Sequence, residues 1–139
     1  MKQELEDKLF NKYKKLFPYG RDDVNENLMC FGFECGDGWY NILDVLFENI
    51  VGVLGDKYNA TVVRVKSRFA VLMVNTGGLH NDIYETIHNL IIGAKLQSSR
   101  TCEMCGKPAE QKQPNGWVYT LCDEHYDKVM YMKYGNDLG

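Results

Sequence analysis

The strongest constraint on this chain lies between Thr101 and Tyr134, in TCEMCGKPAEQKQPNGWVYTLCDEHYDKVMYMKY. Cys102 and Cys105 are followed, sixteen residues on, by Cys122 and His125, giving C-x2-C-x16-C-x2-H. Four soft donors in two pairs at this spacing are a four-ligand zinc pattern. Gly106 suits the tight reversal after the first pair, because glycine accepts positive φ without steric cost. The segment from Ala109 to Leu121 reads as a hairpin, with Pro114-Asn115-Gly116 as its turn and Trp117-Val118-Tyr119 as a strand. The second pair then opens a helix from Cys122 to Tyr134, whose first turn carries Asp123 and Glu124, as the helix dipole favours. Knuckle, hairpin and ligand-bearing helix in this order predict a treble-clef zinc finger. Three thiolates and a neutral imidazole leave no open coordination position, so a Zn2+ held there is structural and its binding energy is folding energy. Two other readings of the same residues are disulfide pairing and a redox CxxC. The second fits poorly, since Gly-Lys-Pro rather than a helix follows Cys105.

A chain of 139 residues has room for one core and a small appendage. The reading is residues 1–99 as an α+β core and residues 100–139 as a finger docked on it. Net charge is −3 and the isoelectric point about 5.6, unlike a general nucleic-acid binder. Five cysteines and a charged, helical start, MKQELEDKLF, suggest a reducing cytoplasm. No apolar run approaches the roughly 18 residues of a membrane span.

Hydrophobic periodicity predicts three core helices and a small sheet. Residues 3–17 place Leu5, Leu9, Phe10, Tyr13, Leu16 and Phe17 on one face, with Lys8, Lys12, Lys14 and Lys15 opposite as a solvated face. Arg21 to Leu28 is a polar connection. Asp37 is a candidate N-cap for a central helix, about Gly38 to Leu54, with a wide stripe from Trp39 through Ile42, Leu43, Leu46, Phe47 and Ile50 to Leu54. Residues 60–67 and 69–75 read as strands joined near Ser67-Arg68, the second apolar enough to be buried on both faces. Asn81 is a candidate cap for a third helix reaching about Gln97, with Ile83, Ile87, Leu90, Ile91 and Ala94 inward. The short link Ser98-Ser99-Arg100 predicts a finger packed on the helices, with Trp117 and Tyr119 as contacts.

Three stretches, ECGDGWY, VKSRFAVLMV and TCEMCGKP…GWVYTLCDEH, together resemble a family of small phage and prophage proteins of unassigned function that end in a treble-clef-like zinc motif. The likeness spans about Cys30 to His125. It implies a viral protein working in a bacterial cytoplasm and brings no established activity. The family's strand pair often carries a Phe-Gly-Gly-Leu-Arg-Phe run. Here Phe69 to Val74 reads FAVLMV, so any ligand role of that run does not transfer.

One further stretch is a candidate ligand site: Glu34, Cys35, Asp37, Trp39 and Tyr40. A glycine-flanked helix start binds anions, but two carboxylates there favour an amine or a basic side chain instead. Trp39 and Tyr40 are able to stack on a base or guanidinium. The competing reading is a structural turn with Trp39 in the core. Cys35 before a helix start is a candidate nucleophile, with only His80 and His88 left to act as base. The expected role is therefore a non-enzymatic binding protein that engages a host protein or sequesters a small nucleotide-like ligand. The alternatives are a nucleic-acid-binding accessory protein using the finger and a cysteine enzyme using Cys35.

Overall fold

The computed structural model describes residues 1–20, 28–113 and 116–135. The expected connection at 21–27 and the first two residues of the expected Pro114-Asn115-Gly116 turn lie outside the described residues. Among the described residues the architecture is α+β with four α-helices, three in the core and a fourth, in the finger, that starts at Asp123. In chain order these are α1 (Gln3–Lys12), β1 (Phe33–Glu34), α2 (Tyr40–Leu54), β2 (Thr61–Arg68), β3 (Val71–Gly77), α3 (Asn81–Ser98), β4 (Glu110–Lys112), β5 (Tyr119–Leu121) and α4 (Asp123–Gly135).

The core is organised around α2. Trp39, Ile42, Leu43, Leu46, Phe47, Ile50 and Leu54 are all buried, so the stripe read from the sequence is the buried face. The expected first helix stops early, at Lys12, and continues to Leu16 as turns. Tyr13 leaves helical geometry, and its hydroxyl donates to the Asp44 carbonyl at 2.8 Å and to the Asp44 carboxylate. The inward residues stay buried: Phe10, Phe17, Phe33 and Phe47 form an aromatic cluster with neighbouring centroids 5.1–5.6 Å apart, in the edge and tilted geometries that ring quadrupoles favour.

The three-stranded sheet has the order β1-β2-β3, parallel between β1 and β2 and antiparallel between β2 and β3. Leu72 and Val74 point into the core, whereas Val71 and Met73 are only half-buried. The expectation of two buried faces for this strand is thus corrected. β3 is an edge strand, and its other face shares the side of the sheet with Lys66 and Arg64, which forks onto Glu34 at 2.9 and 3.2 Å. The turn also lies two residues later than expected, at Phe69-Ala70. Both residues have positive φ, 52° and 68°, as a two-residue hairpin of the strand-matched twist requires. For residues with a Cβ this conformation costs about 1–2 kcal/mol each. Yet Phe69 is 78% exposed and Ala70 is buried.

Two expected caps are reassigned. α3 is capped by His80, whose Nδ1 accepts from the Asp82 N–H at 3.0 Å, and Asn81 is already helical. Asp37 does not cap α2. It belongs to a single 3-10 turn, Asp37–Trp39, and its carboxylate accepts from the Lys2 backbone N–H at 2.8 Å.

Candidate metal centre

The finger begins where α3 ends. Cys102 N–H donates to Lys107 O at 2.7 Å and Gly106 N–H to Cys102 O at 2.9 Å, with Gly106 at φ +81°. This reversal brings Cys102 and Cys105 onto one side. β4 and β5 pair antiparallel, Glu110 opposite Leu121 and Lys112 opposite Tyr119, and deliver Cys122 to the start of α4. Tyr126 N–H bonds Cys122 O at 2.9 Å, which sets His125 on the same first turn.

The donor atoms of Cys102, Cys105, Cys122 and His125 all lie within 4.8 Å of one another. Cys105 Sγ and Cys122 Sγ are 3.7 Å apart, and His125 Nδ1 is 3.7 Å from Cys102 Sγ and 3.2 Å from Cys122 Sγ. A tetrahedral ion with bonds of about 2.3 Å to sulfur and 2.0 Å to nitrogen has sulfur–sulfur and sulfur–nitrogen edges of about 3.8 and 3.5 Å. The four groups are therefore set to hold one metal ion, and the donor set is compatible with zinc. A disulfide needs about 2.05 Å, and all five cysteines are free. Burial pushes the Cys102 thiol up, but backbone N–H groups of Cys122, Cys105 and Met104 outweigh it and bring the pKa below the ordinary value. The His125 N–H does the same for Cys122. Amides aimed at sulfur favour the thiolate a metal requires.

The loop from Glu34 to Tyr40 receives this knuckle. Gly38 N–H donates to Glu103 O at 2.7 Å, Gly36 N–H to the Glu103 carboxylate at 3.2 Å, and Trp39 Nε1–H to Thr101 O at 2.9 Å. A Cβ on Gly38 would fall 2.6 Å from Gly106 N and 2.7 Å from Glu103 C, and closer still to Cys102 O. A Cβ on Gly36 would meet the same Glu103 carbonyl. Gly36 has φ −77°, so there the glycine serves close approach and not a special dihedral. On the other side Thr120 Oγ1 donates to Ala70 O at 2.6 Å, which ties the hairpin turn to β5.

The five residues singled out from the sequence are thus placed as follows. Glu34 is paired with Arg64, Asp37 with the Lys2 backbone, and Trp39 is fully buried with its indole N–H on the knuckle. Tyr40 is half-buried at the start of α2. Cys35 is buried, and burial, then the Glu103 charge, pushes its thiol up to about 12. His80 serves α3 as its cap, and His88 stacks on Tyr84 at 5.8 Å. Trp117, expected against the core, is 69% exposed, and Tyr119 packs within the finger; the strand starts only at Tyr119. The contact is made instead by Glu103, Thr101 and Thr120. The Gly-x-Gly of residues 36–38 is the one local signal of it in the sequence.

Fold and site together define an α+β protein whose C-terminal part carries a Cys3His cluster set to hold a metal ion. No family model matches the chain, and neither a curated protein nor a solved structure matches it. Among the described residues no helix is long and apolar enough to cross a membrane.

Proposed function

We propose that this is a zinc-dependent, non-enzymatic binding protein of phage type, which engages a host protein in the bacterial cytoplasm. Zn2+ on Cys102, Cys105, Cys122 and His125 closes a treble clef, and the treble clef serves as scaffold. The observation that supports this reading is the engagement of residues 34–40 by the knuckle. Of the groups that would have formed a small-molecule site, Trp39 bonds the knuckle, Glu34 and Asp37 are engaged within the core by Arg64 and the Lys2 backbone, and Cys35 is buried. A ligand-sequestering role, including capture of a nucleotide-like molecule, loses its best-placed residues in this way. A partner must then be met on the outer surface. The phage assignment rests on the likeness of ECGDGWY and the CxxCG…LCxxH finger to phage and prophage proteins.

Two alternatives are weaker for stated reasons. A finger that binds nucleic acid needs free cations, but Lys107 and Lys128 face Glu124, and Lys112 faces Asp123. A cysteine enzyme needs a reachable thiolate, and Cys35 is buried with its proton held. The test is affinity capture from bacterial lysate with the zinc-loaded protein, beside zinc stoichiometry on never-chelated material. A single stoichiometric host protein is expected. Salt-sensitive retention of nucleic acid with no protein would transfer the role to the first alternative.

A further inference from the structure

The edge of β3 facing α3 is left partly unused. Leu72 N–H, the first outward group of that edge, is taken by Ser98 Oγ at 2.9 Å. Outward groups alternate along an antiparallel strand, so those of Val74 and Thr76 come next. Beyond Ser98 the helix and the strand part to leave two clefts of about 420 and 510 Å³. Both are lined by Val74, His88 and Ile91, so they run together as one groove. The cleft nearer the turn is mainly apolar, with Met73, Ile91 and Ile92, and Phe69 stands at its end beside Arg68 and Lys95; the other is mixed, with Asn75, Thr76 and Tyr84 beside Leu79. From Tyr84 to Lys95 the helix advances about 16 Å, which matches about five residues of extended peptide. The charge is one-sided. No carboxylate lines either cleft, and neither Arg68 nor Lys95 has an acidic partner among the described residues, although the whole chain is net negative.

We propose that this groove takes an extended segment of a partner protein, which adds as a strand to β3 and places a carboxylate between Arg68 and Lys95. Backbone pairing with Val74 and Thr76 supplies the register, alternate apolar side chains fill the floor, and the cationic end chooses the partner's acidic end. The turn at Phe69-Ala70 supports the same use. A large exposed aromatic in the left-handed region is a poor choice for stability. It is a good choice for a fixed wall, because the Thr120 bond to Ala70 clamps the turn from behind. The inference rests on the binding role proposed above and names its surface.

The test uses the full-length, zinc-loaded, 15N-labelled protein and three six-residue peptides that alternate valine with threonine. One ends in a free carboxylate, one in an amide and one in lysine amide. The carboxylate peptide is expected to shift the Val74 and Thr76 amides and slow their exchange, the amide to bind roughly tenfold more weakly, and the lysine form weakest of all. Phe69→Gly relieves the left-handed backbone, so it should melt no lower than the parent yet bind the carboxylate peptide at least about tenfold more weakly. Lys95→Glu should do the same through charge. The proposal is overturned if no peptide moves Val74 or Thr76 at millimolar concentration, or if all three bind alike. It is also overturned if those amides are already protected in a concentration-dependent dimer, which would give the groove to a second copy. The two readings fail separately. A host protein captured equally by the parent and by Phe69→Gly leaves the binding role intact and removes the groove. Peptide binding without any host partner keeps the groove and removes the host.

Discussion

Replacing Gly38 by alanine probes the joint between core and finger most directly. The new Cβ would sit 2.6 and 2.7 Å from backbone atoms of Gly106 and Glu103, where ordinary contact begins at 3.4 Å. Neither neighbour is a flexible side-chain end, and both belong to the knuckle that carries Cys102 and Cys105. The two backbones must therefore separate by about 1 Å. That motion stretches the Gly38–Glu103, Gly36–Glu103 and Trp39–Thr101 hydrogen bonds, now 2.7, 3.2 and 2.9 Å, past useful length. Two neutral bonds at about 1 kcal/mol each and one to a carboxylate at about 2 kcal/mol sum to about 4 kcal/mol. The smaller backbone entropy of an unfolded alanine returns about 0.5–1 kcal/mol, for a net loss of about 3 kcal/mol. Unfolding entropy for 139 residues is about 0.3 kcal/mol per degree, so the melting temperature should fall by about 10 °C. The assay is thermal unfolding by far-UV circular dichroism, with metal counted by a chromophoric chelator. The four ligands are untouched, so metal content should stay at parent level. Gly93→Ala is the control. This α3 glycine has nothing within 4 Å of its would-be Cβ, and alanine there should stabilise by about 0.5–1 kcal/mol. A Gly38→Ala protein that melts within about 2 °C of the parent, beside a stabilised Gly93→Ala, would refute the joint described here.

Three other expectations follow from the same geometry. Chelation, or Cys122→Ser, should release the finger, since two of its three most buried apolar residues are ligands; hydrogen exchange at Gly38 and Cys102 should rise while the middle of α2 stays protected, and unchanged exchange at Cys102 would count against the metal-held knuckle. With its thiol pushed up to about 12, Cys35 should react with iodoacetamide at pH 8 roughly a thousandfold more slowly than an ordinary exposed thiol and become reactive only on unfolding, as mass mapping of the native protein would show. Burial, then the Asp44 hydrogen bond, raises Tyr13 to about 12, so its contribution to stability is complete below the unfolded value of about 10 and fades as pH climbs toward 12. At the acid end, Tyr13 and Lys12 outweigh burial and hold Asp44 below its ordinary value, so that contribution fades as pH falls through it; Tyr13→Phe should flatten the alkaline limb of a stability–pH curve measured by urea denaturation.

What the sequence by itself determined is local. The ligand quartet depends on two short pairs and a hairpin, and its spacing alone brings four donors together. The stripe of α2 is also local, because helical periodicity decides which side chains share a face, and all seven of its apolar residues are buried. Tertiary structure alone decided what ECGDGWY is for. Its glycines have ordinary or unremarkable local roles until Glu103, 67 residues from Gly36, lies against them. The same holds for the left-handed Phe69-Ala70 turn, where chain reversal between two paired strands overrides local preference and Thr120, 50 residues from Ala70, clamps the result. Periodicity reports which side of an element is apolar; it carries no record of which distant backbone comes close enough to exclude a single methyl group.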